Sequence, residues 1–369
     1  MKVPLLDLRE QYESIRSQIE PAVREQMKTQ QFVLGQTVAR FESRLAQYSG
    51  VEHAIGVSSG TDALLCSLMA LGIGHGDEVI VPTFTFFGSA GAIARTGARP
   101  VFVDIEADTF NLDVDRAAAA ITPRTKAIMP VDLFGQLADM ERIEPVASEH
   151  GLALVEDACQ SIGARRQGKG PGLWGACACL SFYPSKNLAG FGDGGMILCR
   201  DAQFAQTCRY LRMHGETQRY HHALIGGNFR LDALQALVLD IKLDHLDGWV
   251  EKRRAHAAIY DRLLADVDQI QTPAIRPGNE CVYNQYVLRA AKRDDLQRFL
   301  TERQVGTAIY YPVPLHLQEC FASLNYQPGD CPIAEQACRE VLALPVYPEL
   351  PNESIEYVAQ CIREFYKGK

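Results

Sequence analysis

No run of the 369-residue chain approaches the ~18 consecutive apolar residues that a membrane-spanning helix requires. The opening segment, Met1 to Glu10, has no apolar core of the kind a secretory signal carries. The protein is therefore expected in the cytoplasm, with no membrane partner. Basic excess is missing as well. The 37 Lys and Arg stand against 45 Asp and Glu, a net charge of −8, which argues against a nucleic-acid footprint. An anionic substrate must then be held by local Arg, Lys or helix N-termini. Metal-site spacing is also absent. Of the 11 cysteines only Cys177 and Cys179 are close neighbours, with no second pair at zinc spacing, so no metal site is expected. Their scatter through apolar runs, as at Cys66, Cys179 and Cys199, suits small buried side chains in a reducing compartment. The chain shows no repeat, no low-complexity segment and no long linker.

What is present is the composition of an ordinary globular enzyme, 47% hydrophobic and 22% charged. The length calls for more than one core. Residues 8–31 and 36–49 are expected to be helical, the second with Val38, Phe41, Leu45 and Tyr48 at helical spacing. Strand and helix then alternate. Strands are expected at 54–57, 78–81, 100–104, 126–133, 152–155, 179–183 and 196–199, with helices at 61–71, 88–96, 113–121 and 139–150 between them. This alternation predicts an α/β fold, a mainly parallel central sheet flanked by helices. Residues 232–265 form a long helix or a kinked pair. A strand at 285–290 and helices at 293–304, 330–343 and 353–366 follow, a smaller α+β unit with its own core. The expected division is 1–250 for the large domain, with its N-terminal helical segment, and 251–369 for the small one.

The chemistry centres on Lys186. It lies in Ser181-Phe182-Tyr183-Pro184-Ser185-Lys186-Asn187-Leu188, ahead of Gly192-Asp193-Gly194-Gly195. An amine among apolar residues, a Pro and glycines can lose its proton and attack a carbonyl; the plainer reading is a lysine reaching to water. Upstream, Glu156-Asp157-Ala158-Cys159-Gln160 ends an apolar run. A buried Asp157 needs a cation or hydrogen-bond donors, unless it merely caps the segment that follows. A lysine for a Schiff base and an acid for a pyridinium nitrogen are what pyridoxal 5'-phosphate (PLP) requires. The turn Ser58-Ser59-Gly60-Thr61 leads from strand to helix. It is either a plain cap or an anion site, where Gly60 lets a phosphate approach the backbone. Ser181 is either a small strand residue or a phosphate ligand. One of Phe84, Phe86 and Phe87 could stack on a flat ring, the others being core. Asp157, Lys186 and the Ser58–Thr61 turn all fall just after predicted strands, on the rim where such sheets bind ligands. Gly226-Gly227-Asn228-Phe229-Arg230 is a backbone-permissive loop before a helix. The preceding Arg219-Tyr220-His221-His222 is a solvated surface, a substrate contact or, since adjacent His share no helix face, least plausibly a metal site.

Taken together these motifs resemble the fold-type I PLP enzymes, and within them the DegT/StrS-type nucleotide-sugar aminotransferases. The resemblance runs from Pro4-Leu5-Leu6-Asp7-Leu8 through Ser59-Gly60-Thr61-Asp62-Ala63-Leu64, the Asp157 and Lys186 motifs, and Asn228-Phe229-Arg230-Leu231-Asp232 with Leu234-Gln235-Ala236, to Tyr311-Pro312-Val313-Pro314-Leu315-His316-Leu317-Gln318. It implies that Lys186 would hold PLP and shuttle a proton, with Asp157 on the ring nitrogen and Gln160 near the ring hydroxyl. Phe86 would stack on the ring, and Gly60, Thr61 and Ser181 would hold the phosphate. Asn228 would reach the cofactor phosphate of a second subunit, making a homodimer with shared active sites. Phe32, His214, Tyr220, Arg230, Tyr311 and His316 would surround the sugar nucleotide.

The same resemblance implies transamination of a keto group on a nucleotide-linked sugar with L-glutamate as donor, for amino-sugar and surface-glycan synthesis. The run from Arg230 to Ala236 is more similar to members acting on 3-keto sugars than to those acting on 4-keto sugars. Gly226-Gly227 departs from the more usual Gly-Tyr. Rival expectations are a 4-keto sugar or keto-cyclitol aminotransferase, a dehydratase on the same fold (which replaces the lysine with histidine) and a non-catalytic regulatory protein.

Overall fold

A computed structural model describes residues 1–367. The helices are α1 (Leu8–Thr29), α2 (Gly35–Ser49), α3 (Gly60–Ala70), α4 (Phe87–Arg95), α5 (Val114–Ala119), α6 (Met140–Glu149), α7 (Ala202–Leu211), α8 (Ala233–Leu243), α9 (Leu246–Leu264), α10 (Arg293–Glu302), α11 (Pro332–Glu340) and α12 (Asn352–Lys367). The strands are β1 (His53–Val57), β2 (Glu78–Pro82), β3 (Arg99–Val103), β4 (Thr125–Ile128), β5 (Ala153–Asp157), β6 (Arg165–Arg166), β7 (Cys177–Ser181), β8 (Gly195–Cys199), β9 (Glu216–Gln218), β10 (His221–His222), β11 (Ile270–Gln271), β12 (Asn279–Glu280), β13 (Tyr286–Ala290) and β14 (Val341–Leu344).

Seven strands form the central sheet in the order β1-β8-β7-β5-β4-β2-β3. The pairs β7·β5, β5·β4, β4·β2 and β2·β3 are parallel, while β8 runs antiparallel to both its neighbours. The α/β expectation with a mainly parallel sheet therefore holds. The two-residue period of the strands splits their side chains between two cores. Ala54, Ile80, Ile128, Leu154, Leu180 and Leu198 face one side, where Phe41 and Leu45 of α2 and Ala236 of α8 cover them. Ile55, Val79, Val81, Ala127, Val155 and Ile197 face the other, under Leu64 and Leu68 of α3 and Ile93 of α4. Cys177, Cys179 and Cys199 fill this second layer as small apolar side chains, and none of the cysteines is disulfide-bonded.

A third core belongs to the antiparallel sheet β11-β13-β14 with α9, α10 and α12. Residue 250, the expected division, lies inside α9. Leu246 and Val250 of this helix sit in the first core, while Ala257, Tyr260 and Leu264 sit in the third. Val3 also belongs to the third core and bridges to Val305.

Several elements differ from expectation. β4 stops at Ile128 rather than 133; Pro130, with no N–H to give the ladder, follows it, and the chain then turns through a 3-10 segment at Leu133–Gly135. The helix expected to run to 343 ends at Glu340. Its last apolar residues form β14, fully buried beside β13; periodicity does not separate such a run from a buried helix end. The region 232–265, by contrast, is the expected pair, α8 and α9.

Candidate active site

The carboxyl ends of β5 and β7 and the start of α3 open onto a cleft of about 690 Å³. Seven of the eight expected cofactor residues line it: Gly60, Thr61, Phe86, Asp157, Gln160, Ser181 and Lys186. Segments far apart in sequence meet here because parallel strands bring all their carboxyl ends to one rim.

At one end of the cleft lies the start of α3. Ser59 caps it, its hydroxyl accepting from the Asp62 N–H at 3.0 Å. The N–H groups of Gly60 and Thr61 lie in the helix's first turn, where no intrahelical acceptor exists, so they and the helix dipole are available to an anion. Gly60 is required by a close approach. A Cβ there would lie 2.7 Å from both Cys159 Sγ and Ser181 Cβ. The cap reading therefore holds for Ser59, and it leaves the neighbouring N–H groups of the same turn free for an anion.

Asp157 ends β5 and is buried. Ser89 Oγ donates to its Oδ2 at 2.6 Å, and the Cys159 N–H donates to Oδ1 at 3.3 Å. Behind it, burial pushes the Asp132 carboxyl up to about 7, against the hydrogen bonds from the Ala138 N–H and the Ser161 hydroxyl that favour its charged form. Glu156 points to the opposite face and is also pushed well up, by burial and then by Asp132.

Lys186 follows β7 through the turn at Tyr183, its N–H donating to the Tyr183 carbonyl at 2.8 Å. Burial lowers the pKa of its amine, opposed by the neighbouring Cys159 and Asp157 side chains. A lowered pKa is what a nucleophilic amine needs. Phe86 is 58% exposed, a bare aromatic face at the cleft. Gln160 has a fixed orientation: its Oε1 accepts from the Phe134 N–H at 2.7 Å, and its Nε2 lies 3.3 Å from the Tyr311 hydroxyl. The residues fit PLP: a helix start with free N–H groups, a partly buried lysine whose amine is biased towards its neutral form, a buried carboxylate with donors on both oxygens, and an exposed aromatic face.

Of the expected substrate residues, Tyr311 lines the cleft. The others lie outside this chain's cleft lining. Phe32 precedes α2, its carbonyl accepting from the Ala233 N–H. His214 precedes the β9–β10 hairpin, and Tyr220 at its turn is exposed. Asn228 bridges to Met213, and Arg230 bridges to Val57 with its guanidinium against Met213 Sδ. His316 is buried, its Nδ1 2.7 Å from Thr83 Oγ1 and its Nε2 3.3 Å from Glu335 Oε1. Sequence reasoning gave no role to Ser89, which holds Asp157, or to Tyr183, Asp193, Gln285 and Tyr310, which line the cleft. Ser89 stands among small residues in the first turn of α4, where only its distance to Asp157 singles it out.

The profile of the DegT/DnrJ/EryC1/StrS aminotransferase family matches residues 13–363. Over 369 residues, all of this chain and 99% of the relative, the chain is 50% identical to a "pleiotropic regulatory protein" of Geobacillus stearothermophilus. It is 42% identical to the UDP-N-acetyl-3-dehydro-alpha-D-glucosamine 3-aminotransferase of Acidithiobacillus ferrooxidans, covering 99% of this chain and 98% of that one. Among solved structures, S. venezuelae DesV in complex with a ketimine intermediate superposes with a TM-score of 0.97 at 42% identity, over 99% of this chain and 98% of that one.

Proposed function

Because the chain belongs to the DegT/DnrJ/EryC1/StrS aminotransferase family, we propose that it is a PLP-dependent transaminase that moves an amine from L-glutamate to a keto carbon of a nucleotide-linked sugar. The observation that carries this reading is the meeting of Lys186, Asp157 and the Gly60 helix start in one cleft. Bound there, PLP supplies an electron sink for the carbon that gains or loses the amine. The chain's residues do the rest. The Lys186 amine, which burial favours in its neutral form, would shuttle a proton between the substrate carbon and the cofactor. Asp157, held by Ser89 and the Cys159 N–H, keeps the ring nitrogen protonated. The N–H groups of Gly60 and Thr61, with Ser181, hold the phosphate. Phe86 would cover the ring face, and the amide nitrogen of Gln160 would reach the ring hydroxyl. One lysine serves both half-reactions, so donor and acceptor use the site in turn with ping-pong kinetics.

The keto carbon in this proposal is carbon 3. The A. ferrooxidans relative is a 3-aminotransferase by name, and the run Arg230-Leu231-Asp232-Ala233-Leu234-Gln235-Ala236 resembles the 3-keto group of the family. The enzyme acts as a cytoplasmic homodimer in amino-sugar and polysaccharide synthesis. In support of a dimer, Tyr220 and Leu224 are exposed and Ile225 is 93% exposed, apolar surface of the kind that marks an interface. The neighbouring Asn228 would complete the partner's phosphate site, and His214, Tyr220 and Arg230 would serve the partner's sugar pocket. A purely regulatory role, raised by the name of the Geobacillus relative, is not favoured, since the lysine, the acid and the phosphate turn are all in place.

The test is amination, by purified PLP-loaded protein with L-glutamate, of matched 3-keto and 4-keto nucleotide sugars, with Lys186→Ala as the control that loses the borohydride-trapped PLP adduct. Reaction of the 3-keto sugars supports the proposal. Reaction of only the 4-keto sugars overturns the position, and failure to take up PLP overturns the whole reading.

A further inference from the structure

Three side chains grip the loop that follows Lys186. Asn187 Nδ2 donates to the Val282 carbonyl at 3.0 Å. Gln235 Oε1 accepts from the Phe191 N–H at 2.7 Å. Lys242 Nζ donates to the Ala189 carbonyl at 2.8 Å and lies 4.9 Å from the centre of the Phe191 ring. Gln235 and Lys242 both belong to α8, two turns apart on one face. The loop has been shaped to them: a Cβ on Gly190 would lie 2.7 Å from Gln235 Oε1, and one on Gly192 would lie 3.1 Å from Gln235 Nε2. The loop also closes on its own strand end, with the Gly190 N–H donating to the Phe182 carbonyl at 2.8 Å and the Phe182 N–H to the Gly194 carbonyl at 2.8 Å.

Lys242 is a costly choice for this position. It is 4% exposed, and its contacts in the loop are a single carbonyl and one aromatic face. Burying an ammonium costs several kcal/mol unless its surroundings compensate. An apolar residue of similar length would fill the space without that cost; what distinguishes lysine here is the donor to Ala189, with the Glu349 charge favouring its protonated form. Lys186 opens the gripped segment, and Asp193 and Gly194, at its close, line the cleft.

We propose that Gln235 and Lys242 are positioning residues that fix the loop from Asn187 to Gly192 and thereby set the reach of the Lys186 amine into the cleft. This rests on the reading of Lys186 as the PLP-bonding lysine. The loop is anchored from outside the cleft, by a helix whose own face packs in the first core.

The experiment compares the affinity of the apoprotein for PLP, which bonds to Lys186, with its affinity for pyridoxamine phosphate, which does not. Lys242→Met and Gln235→Leu are each expected to weaken PLP about tenfold, equivalent to ~1.4 kcal/mol, and to leave pyridoxamine phosphate within about twofold, well under 1 kcal/mol. Gln235→Glu, which keeps the acceptor for the Phe191 N–H, restores PLP binding. Gln235→Leu alone decides the matter if Lys242→Met does not fold. Equal weakening of both ligands, or no change in PLP affinity, overturns the inference. Wild-type protein that takes up no PLP overturns the reading of Lys186 instead.

Discussion

Replacing Gly60 with alanine tests the phosphate end of the cleft with a single methyl group. The new Cβ would stand 2.7 Å from Cys159 Sγ and 2.7 Å from Ser181 Cβ. Carbon atoms pack at about 3.5–4.0 Å, so the start of α3 must retreat by about 1 Å or its neighbours must give way. Overpacking of this kind costs about 1–3 kcal/mol. The opposing gain from a less flexible unfolded chain is about 0.4–1 kcal/mol, so the apoprotein loses stability on balance. The larger effect falls on the ligand. A displaced helix start withdraws an N–H from the phosphate, and a hydrogen bond to a charged group contributes about 1.5–3 kcal/mol. That corresponds to a loss of about 10- to 150-fold in affinity for PLP. Pyridoxal, which has no phosphate, is the control, because its binding draws only on the other end of the cleft. Titration of apoprotein by absorbance, with both ligands, gives the comparison. Adding Cys159→Ala removes one of the two clashing atoms and should restore part of the loss. Wild-type affinity for PLP in Gly60→Ala, or equal losses for PLP and pyridoxal, would refute the assignment of this turn to the phosphate.

Ser89→Ala removes a donor from the buried Asp157 carboxylate and should cost the apoprotein about 1.5–3 kcal/mol. A bound ring N–H would supply a replacement donor, so the rise in melting temperature on adding PLP should be larger in the variant than in wild type; an equal rise sinks the pairing of Asp157 with the ring. Burial lowers the Lys242 pKa from 10.5 to about 8, so across this window the unfolded chain binds more protons than the folded one. Apoprotein stability should therefore rise as pH climbs from about 8 towards about 10.4 through this group. Denaturant unfolding at several pH values should show that contribution, and Lys242→Met should lack it; identical slopes in the two proteins would contradict it.

The sequence was most legible where one strand end sets one side chain. Asp157, Ser181, Lys186 and Gly60 each follow or end a strand of the alternating region, and the parallel sheet needs nothing further to bring them together. Residues delivered from elsewhere were not visible in the same way. Gln285 and Tyr310 reach the cleft from beyond residue 280, and no local pattern announces a tertiary approach. Ser89 is a small residue among others of its kind. The run Val341–Leu344 shows the limit of periodicity, since four apolar residues after a helix fit either a last turn or a buried strand. Phe32, Asn228 and Arg230 carry motif identity, yet they fall outside the cleft of their own chain.

Helix α9 has a consequence for the way the molecule comes apart. One end of this single helix is held by the core that carries the catalytic sheet and the other by the C-terminal sheet. Neither core is complete without it, so loss of either strips a buried face from the other, and cooperative units follow such shared elements. The N-terminal Val3, tucked beside Val305 in that same third core, adds a second tie. The N-terminal segment is thus tied into the core of the smaller unit, and shortening it would expose part of the apolar face that β13 and β14 bury.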